Sequence, residues 1–530
     1  MQIAGRTISK YSIALLAILL MGLILRVYKL GKESLWFDEV FSVWISQMNL
    51  SAIMEITGAD VHPPLYYFIL HYWIVFFGTS EVVVRSLSVL FGVLAIPVIY
   101  VLGRQLFNKQ VGLLAALLLA LSGFNIQYSQ EARMYSLMVL LALLSMFFFI
   151  RFLHGNTVAI SIGYILCTTL LLYTHLYGAF VVIAQNIYLV TLLLLSRERV
   201  FQLRQWLILQ VLLVALFAPW IRFLTGQVSS VEQGFGISNV QGYGGPPLWI
   251  PPPTIISLID AFINYAGKIS HATYLGNPML LLPAMLLGLF FVLSVLALFS
   301  YRKVSGSMDW KTPLKALKSY MWEVSFTKDH NALYFLAVWL LAINVIPFVI
   351  SLFSRPIYYY KYTIPASVAL YLIVAKGISH INYQYAKLAV VIVIIALSAA
   401  NLQAYYTTPS KPQARDVIGF IDKNAKDGDL VLLVPGESQF VYNYYYKFLP
   451  PAGVTMFPSS SSGQDLASNI QELQSYINGR NRVWLVEEPF WDTSNLQVLN
   501  QTEQTLKASY NEIYFKRYYG YDVYLFEKQA

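Results

Sequence analysis

The stretch SLWFDEVFSVW, residues 34–44, follows the first long apolar run of the chain and determines what the fold must accommodate. It sets Asp38 beside Glu39 among tryptophan and phenylalanine side chains. Charged side chains are costly inside a bilayer. The stretch is therefore expected at a membrane edge, where an apolar span ends and two carboxylates meet an aromatic surface.

The composition indicates a membrane protein with many spans. The chain has 530 residues, of which 57% are hydrophobic and 12% are charged, whereas soluble domains carry about 25% charged residues. Long apolar runs recur as far as residue 402, which predicts an α-helical polytopic membrane protein. The lone cysteine, Cys167, excludes an intrachain disulfide and a cysteine-based metal site.

The net charge of +9 is unevenly distributed. Residues 1–404 hold 25 basic and 13 acidic residues, whereas residues 405–530 hold 11 and 14. Cytoplasmic loops of membrane proteins normally carry such a basic excess. The charge is thus explained by topology, and no nucleic-acid partner is predicted.

Eleven spans are predicted from apolar runs of about 20 residues, the length that crosses ~30 Å of hydrocarbon. They lie near residues 11–30, 80–103, 111–124, 134–152, 157–173, 177–195, 204–222, 280–300, 333–352, 362–378 and 387–403. With this count, a cytoplasmic N-terminus puts the basic connectors on the cytoplasmic side of the inner (plasma) membrane. The first run lacks a small-residue cleavage signal and is interpreted as an uncleaved span.

The run PPLYYFILHYWIVFF, residues 63–77, is excluded from the spans because it is short, starts with two prolines and contains a histidine. It is expected to lie in the outer membrane interface. Residues 31–79 then form one external loop, and residues 223–279 form a second that is rich in glycine and proline.

Two domains are predicted: a membrane domain over residues 1–404 and an extracytoplasmic α/β domain over residues 405–530. The second has the helical patterns ARDVIGFIDKNA and QDLASNIQELQSYI and the strand patterns DLVLLVP, VWLVEE and YDVYLFE. It has no glycine-rich phosphate loop and its acids are scattered, which favours a structural or acceptor-docking role over catalysis.

Four polar clusters fall on the external face of this topology. The first is the acidic loop with Asp38 and Glu39, which also contains His62. The other three are NIQYSQEARMY with Glu131, Arg133 and Tyr135, YTHLYG with His175, and SRPIYYYKYTIP with Arg355, Lys361 and Tyr362. Their coincidence on one face, rather than any single residue, indicates a functional site.

Each cluster also has a simpler explanation. Asp38 could be an acid favoured at a helix N-terminus, or could form with Glu39 the solvated edge of an interfacial helix. The remaining alternatives are that Arg133 only neutralises Glu131, that Arg355 and Lys361 reach lipid headgroups, and that His175 is an ordinary turn histidine.

Together these residue types suit one kind of chemistry. A carboxylate at the membrane surface can act as general base toward an acceptor hydroxyl or amine, and cations can hold a phosphate leaving group. The combination predicts transfer of a group from a phospholipid carrier to an acceptor outside the cytoplasm. No cofactor is predicted with certainty; Asp38 and Glu131 could share a divalent metal ion.

The chain resembles the polytopic GT-C-type glycosyltransferases, most closely family 39, with the protein mannosyltransferases, the lipid A aminoarabinose transferases and the Rhizobium-type lipopolysaccharide core transferases. The resemblance covers roughly residues 10–380. It rests on LWFDEVFS, HPPLYYFILHYWIVFFG, EVVVRSLSVLFG, QYSQEARMYSL, YTHLYG and YYYKYTIPA, in that order.

The resemblance implies an inverting hexosyl- or pentosyltransferase of cell-envelope glycan synthesis with a polyprenyl-phosphate sugar donor. It implies Asp38 as the catalytic base with Glu39 beside it, and Glu131 as a supporting or metal-holding acid. Contacts to the donor phosphate or substrate are expected from His62, Arg133, Tyr135, His175, Arg355, Lys361 and Tyr362. Lys361 stands where relatives often carry arginine, so the bidentate fork is lost. The acceptor can be a lipid, a glycan or a protein.

Two other functions remain open. A transporter of lipid-linked sugars would usually show internal repeats and polar residues near the bilayer midplane, which this sequence lacks. An envelope polysaccharide polymerase or ligase would have similar spans but would rely more on external arginines and histidines than on an acidic pair.

Overall fold

The structure is a computed structural model that describes residues 2–3, 6–7, 9–60, 62–195, 203–232, 250–267, 281–298, 328–354, 356–434, 439–446, 453–457, 466–488 and 496–529. The chain divides into two compact units. The helical unit comprises Met1–Tyr28, Arg85–Pro219 and Ile250–Thr408, and the mixed unit comprises Lys29–Val84, Trp220–Trp249 and Pro409–Ala530.

Helices dominate the described residues. The first ten are α1 (Lys10–Val27), α2 (Phe37–Ser46), α3 (Leu50–Ala59), α4 (Leu65–Phe77), α5 (Glu81–Leu106), α6 (Lys109–Leu121), α7 (Gly123–Ser129), α8 (Tyr135–His154), α9 (Val158–Thr174) and α10 (Gly178–Leu195). The next ten are α11 (Leu203–Glu232), α12 (Ile255–Tyr265), α13 (Leu281–Leu298), α14 (Lys328–Phe353), α15 (Ile364–His380), α16 (Gln384–Thr407), α17 (Ala414–Asn424), α18 (Gln439–Tyr445), α19 (Leu466–Ile477) and α20 (Leu496–Ser509). A 3-10 turn, Tyr360–Thr363, precedes α15.

The strands are short and mostly C-terminal. They are β1 (Gln2–Ile3), β2 (Arg6–Thr7), β3 (Leu430–Val434), β4 (Gly453–Met456), β5 (Arg482–Glu487), β6 (Tyr510–Tyr518) and β7 (Tyr521–Lys528). The polytopic helical fold with a small C-terminal sheet is therefore confirmed.

Each predicted span coincides largely with one helix, except that the span 111–124 covers most of α6 and the start of α7. Among the described residues, eight helices are long and apolar enough to cross a membrane, and the bent pair α6–α7 would make nine. The count of eleven stays a prediction. The run 63–77 forms α4, whose 13 residues reach about 20 Å, less than the ~30 Å of a hydrocarbon core.

Helix α15 forms the centre of the helical unit. Its residues are buried from Ile364 through Ile378, and it packs against α6, α8, α13 and α14. The contact with α13 depends on a glycine, since a Cβ at Gly377 would lie 1.9 Å from the carbonyl oxygen of Leu293. The 3-10 turn with Lys361 leads directly into this buried helix and is thereby anchored.

A buried arginine stabilises the break between α6 and α7, which meet at 59°. Arg26 of α1 donates hydrogen bonds to the carbonyls of Leu119 (3.1 Å) and Ala120 (3.2 Å) and to Ser129 Oγ (3.2 Å). The last carbonyls of a helix have no partner within the helix and carry its negative dipole end. Arg26 satisfies them and fixes the direction in which α7 leads toward Glu131.

The mixed unit contains a five-stranded sheet of order β4-β3-β5-β7-β6. β3 is parallel to β4 and β5, whereas β7 is antiparallel to β5 and β6. The three predicted strands are β3, β5 and β7, and the two predicted helices are α17 and α19. Because strand side chains alternate, Val483 and Leu485 join the core with α19 and α20, while Trp484 faces Phe420 of α17.

Candidate active site

The predicted site residues fall into both units. Asp38, Glu39 and His62 belong to the mixed unit. Glu131, Arg133, Tyr135, His175, Lys361 and Tyr362 belong to the helical unit. Arg355 lies outside the described residues, and each group is considered below within its own unit.

The acidic pair occupies the first turn of α2. Trp36 caps this helix, and its backbone N–H donates to Glu39 Oε2 at 3.4 Å. Carboxylates are favoured at this end of a helix because of its dipole. The two acids therefore do stand at a helix N-terminus, as the simpler explanation stated. That position is compatible with a further role for either acid.

The two adjacent carboxylates have different surroundings. Glu39 is 0% exposed, and its Oε2 lies 3.0 Å from Nζ of Lys411, itself buried. Asp38 is partly exposed. A buried carboxylate requires such a partner, whereas a general base must be reachable by its substrate. Of the pair, Asp38 is the one with access for chemistry.

Aromatic side chains surround the turn, as the sequence indicated. The Phe37 and Phe41 rings stack at 6.2 Å, and those of Phe41 and Trp44 at 5.8 Å. Phe440 of α18 packs edge-on against Trp44 at 5.1 Å. The helix is thus held on an apolar surface, with a contribution from the C-terminal part that the sequence did not indicate.

Two glutamates of the first loop and one at the start of α5 contact a short C-terminal segment, Ser410–Arg415, which we call the strap. Glu33 accepts hydrogen bonds from the backbone and hydroxyl of Ser410. Glu39 pairs with Lys411, and Glu81 pairs with Arg415 at 2.5 Å. These acids have structural partners that sequence reasoning missed, because hundreds of residues separate them.

His62 has a carboxylate neighbour that was not predicted as part of the site. Its Nδ1 lies 3.3 Å from Asp60 Oδ2, and both side chains are buried. The carboxylate orients the ring and favours a proton on Nδ1, which leaves Nε2 for another contact. The spacing of two residues was a weak sequence signal for this pair.

In the helical unit, tyrosine rings surround the ammonium group of Lys361. Its Nζ lies 5.2 Å from the ring centre of Tyr359, 5.7 Å from that of Tyr135 and 5.8 Å from that of Tyr362. Lys361 is buried, and ring faces attract cations most strongly where water is excluded. Burial argues against the alternative that this lysine simply reaches outward to lipid headgroups.

His175 joins the same cluster. Its ring lies 4.6 Å from that of Tyr362 and 6.4 Å from that of Tyr135. The N–H of Tyr177 donates to His175 Nδ1 at 3.1 Å; this ring nitrogen is therefore an acceptor and the neutral ring carries its proton on Nε2. The structure brings three of the four predicted clusters together.

Tyr177 ties the histidine turn to the segment before Lys361. Its hydroxyl donates to the carbonyl of Ile357 at 2.8 Å. The phenol is the donor in this contact, because a backbone carbonyl oxygen can only accept.

Glu131 and Arg133 lie in the buried turn between α7 and α8. The turn is closed by a hydrogen bond from the Arg133 N–H to the Glu131 carbonyl at 2.8 Å, and Ser88 Oγ donates to the Arg133 carbonyl at 3.0 Å. Tyr135 follows at the start of α8, where its ring packs against Tyr362 at 6.3 Å.

Tyr265, at the end of α12, supports the lysine turn and was not predicted. Its hydroxyl contacts Thr363 Oγ1 at 2.6 Å and Asn344 Oδ1 at 3.0 Å. Tyrosine is so frequent in this chain, with 38 residues, that no pattern distinguished Tyr265 or Tyr359 from the others.

The structure leaves metal binding as a prediction. Among the described residues, no three His, Cys, Asp or Glu side chains form a group that could hold a metal ion. Asp38 and Glu131, the two acids predicted to share one, belong to different units.

Comparison with known proteins agrees with this architecture. Residues 61–223 match the family model of dolichyl-phosphate-mannose-protein mannosyltransferase. A search of curated protein sequences finds no match.

Solved structures extend the similarity to almost the whole chain. ArnT from Cupriavidus metallidurans bound to undecaprenyl phosphate is similar with a TM-score of 0.57 and 12% identity, over 96% of this chain and 97% of that one. The Archaeoglobus fulgidus oligosaccharyltransferase tethered with an acceptor peptide gives a TM-score of 0.53 and 12% identity, over 98% and 74%.

These likenesses identify the fold as that of the GT-C class of polytopic membrane glycosyltransferases. The resemblance found from the sequence motifs is thereby confirmed at the level of the fold. The chain is an integral multi-pass membrane protein with this fold.

Proposed function

We propose that the protein transfers a sugar from a polyprenyl-phosphate-linked donor to an acceptor on the extracytoplasmic side of the inner membrane. The observation that carries the proposal is the buried Lys361, surrounded by three tyrosine rings and joined by His175. The family model and the ligand named for the ArnT structure are consistent with a lipid-phosphate donor.

The lysine cluster has the properties needed to hold a phosphate leaving group. An ammonium presents three donors and a compact positive charge, and the protonated Nε2 of His175 adds a further donor. Electrostatic attraction is stronger in a dry site than in water. Lys361 would therefore bind the donor phosphate and offset the charge that develops on it as the sugar departs.

Asp38 would act as the general base. Its carboxylate accepts the proton of the acceptor hydroxyl or amine, whose oxygen or nitrogen attacks the anomeric carbon of the sugar. The bond from that carbon to the phosphate oxygen breaks, and the electron pair leaves with the polyprenyl phosphate. A single displacement of this kind inverts the anomeric configuration.

The remaining assignments are supporting ones. Tyr135 and Tyr362 offer ring faces to a sugar and hydroxyls to the phosphate, Glu131 and Arg133 support the turn from which Tyr135 starts, and His62 contacts substrate. The family match over residues 61–223 contains all of these residues except Tyr362. The basic connectors are expected on the cytoplasmic side of the membrane. The proposed site residues would then lie on the extracytoplasmic side.

The test compares envelope glycolipids, glycans and glycoproteins by mass spectrometry in a strain that lacks the protein. The strain is restored with wild type, Asp38→Asn or Glu55→Gln. Glu55 is an exposed acid of the same loop and serves as the matched control. Equal amounts of each protein in the membrane are verified first.

We expect one sugar increment to disappear without the protein, to return with wild type and Glu55→Gln, and to stay absent with Asp38→Asn. The missing mass then identifies the sugar and the molecule that carries it identifies the acceptor. Full restoration by Asp38→Asn would exclude Asp38 as the base. Loss of long glycan chains without loss of a single increment would instead favour a polymerase or ligase, and accumulation of an intact lipid-linked sugar on the cytoplasmic side would favour transport.

A further inference from the structure

The strap Ser410–Arg415 is held firmly at both of its faces within the mixed unit. On one side it contacts Glu33 and Glu39 of the first loop and Glu81 at the start of α5. Toward the sheet, the Gln413 N–H donates to the Tyr519 carbonyl and the Tyr519 N–H donates back to Gln413 Oε1, both at 2.8 Å. The loop that carries Asp38 is therefore tied to the C-terminal sheet through a short, doubly anchored segment.

The turn between β6 and β7 is shaped to receive the strap. Gly520 adopts φ +84°, a conformation that side chains disfavour. A Cβ added there would lie 2.6 Å from the Cβ of Pro412. The strap and the sheet thus approach each other more closely than any residue but glycine allows.

Among the strap residues, Lys411 contacts the residue that lies next to the proposed base in the sequence. Its partner Glu39 follows Asp38 directly in the first turn of α2. Glu39 Oε2 is held by the Lys411 ammonium at 3.0 Å and by the Trp36 N–H at 3.4 Å. A side chain fixed from two directions fixes the backbone of its own turn, and consecutive residues of a helical turn move together.

We propose that Lys411 is a positioning residue: through Glu39 it fixes the first turn of α2 and so the carboxylate of Asp38. This inference rests on the proposed function, in which Asp38 is the general base. It assigns the C-terminal part a role in transfer that does not require it to touch either substrate.

The physical reason lies in the sensitivity of proton transfer to distance. A general base must come within hydrogen-bonding reach of the proton that it removes, and a displacement of about 1 Å can cost roughly 100-fold in rate. Substitution of Lys411 removes one of the contacts that hold Glu39 in place. The rate should fall while binding of the donor phosphate does not change.

The experiment compares wild type with Lys411→Met, Lys411→Arg and the double variant Glu39→Gln/Lys411→Met. Lys507→Met is the matched control, because it breaks a partly exposed lysine–glutamate pair of the same unit. Three quantities are measured on the full-length protein: the rate of appearance of the sugar increment in cells, the midpoint of thermal unfolding in detergent, and the affinity for undecaprenyl phosphate in nanodiscs.

The double variant separates positioning from stability. A single substitution strands a buried charge and destabilises the protein, whereas removing both charges of a buried pair is often neutral for stability. We expect Lys411→Met to lower both the unfolding midpoint and the transfer rate. The double variant should recover the midpoint but stay at least about tenfold slow in transfer.

A positioning role for Lys411 also predicts the results for Lys411→Arg and for the Lys507→Met control. Lys411→Arg keeps the charge and should retain most of the transfer rate, and the control should match wild type. Affinity for undecaprenyl phosphate should agree within about twofold throughout, because a positioning role leaves the phosphate contacts intact.

Two results would overturn the inference. Recovery of the full transfer rate together with the unfolding midpoint in the double variant would mean that the pair only stabilises the fold. An unchanged rate in Lys411→Met would mean that the contact is dispensable. Failure of the proposed function is distinguishable, since wild type itself would then produce no sugar increment or would not bind undecaprenyl phosphate.

Discussion

Asp38 and Glu39 are consecutive residues of one helical turn, but Glu39 is fully buried against Lys411 whereas Asp38 is partly exposed. Adjacent residues of a helix point about 100° apart, so one turn can direct one carboxylate to an internal partner and the next toward substrate. The acidic pair at the membrane edge thus divides into a structural acid and an accessible one.

This division predicts opposite phenotypes for two similar substitutions. Asp38→Asn should abolish transfer and lower stability by no more than about 0.3–1 kcal/mol, because that is the contribution of an exposed carboxylate at a helix N-terminus. Glu39→Gln should destabilise the protein by about 3–5 kcal/mol, because it removes one charge of the buried pair with Lys411. Thermal unfolding of both variants in detergent, with transfer assayed in parallel, measures the difference. Equal unfolding midpoints for the two would refute the division.

The buried position of Lys361 predicts that its charge contributes to binding of the donor phosphate. Lys361→Gln keeps the approximate length of the side chain and removes its charge, so the affinity for undecaprenyl phosphate should fall by at least about tenfold, which corresponds to ~1.4 kcal/mol. The loss should change little between low and high salt, because salt screens a charge in a buried site much less than an exposed one. Titration of the lipid phosphate into nanodiscs at two salt concentrations measures both effects.

Lys109→Gln provides the control for this measurement. Lys109 also lies over a tyrosine ring, that of Tyr11 at 5.8 Å, but it is exposed. Its substitution should leave the affinity unchanged. Comparable losses in both variants would mean that lipid phosphate is attracted by the general positive charge of the protein, and the proposed phosphate site at Lys361 would be abandoned.

Much of the fold could be predicted because hydrophobic runs and strand patterns are local signals. All apolar runs predicted as spans are helices, and β3, β5 and β7 coincide with their sequence patterns. β6 was missed because its residues are mostly exposed and show no clear alternation. β4 has only four residues, too few to give a period.

The site could be predicted only in part, because some of its contacts join residues that are far apart in the sequence. His175, Lys361 and Tyr362 were recognised from polar residues at the ends of apolar runs, and they do lie together. The partnership of Glu39 with Lys411 spans 372 positions and depends on how the strap packs. No local pattern encodes such a contact, so sequence reasoning could not tell the two acids apart.

Arg26 predicts a stability defect in the membrane part. Arg26→Met leaves the carbonyls of Leu119 and Ala120 without their donor at the break before α7. A buried polar group without a partner costs about 1–3 kcal/mol, so we expect the unfolding midpoint to drop clearly. Arg26→Lys should recover only part of it, since one ammonium cannot reproduce the spread of guanidinium donors.

Arg104→Met is the matched substitution for this test. Arg104 is exposed at the end of α5, so its loss should leave the unfolding midpoint within about 0.5 kcal/mol of wild type, as for most surface changes. If Arg26→Met and Arg104→Met unfolded at the same temperature, the proposed support of the α6–α7 break would be wrong.

The buried carboxyl of Glu487 makes the free energy of unfolding depend on pH. Glu487 ends β5, is 3% exposed and lies opposite Asp522 across the sheet. Burial, with added repulsion from Glu503 and Asp522, raises the pKa of the Glu487 carboxyl to about 8, against roughly 4.3 for a glutamate in the unfolded chain. Between these values the folded state binds more protons than the unfolded state, so the free energy of unfolding falls as pH rises.

The slope of that fall should reach about 1.4 kcal/mol per pH unit from this one residue. Glu487→Gln cannot ionise and keeps the shape of the side chain, so it should be more stable than wild type at pH 7.5 and the gap should close toward pH 5. Denaturation midpoints of the full-length protein between pH 5 and 8 measure the slope, with the exposed Glu512→Gln as control. Parallel curves for Glu487→Gln and wild type would mean that Glu487 is ionised in the folded protein throughout this range, and the raised pKa of its carboxyl would be wrong.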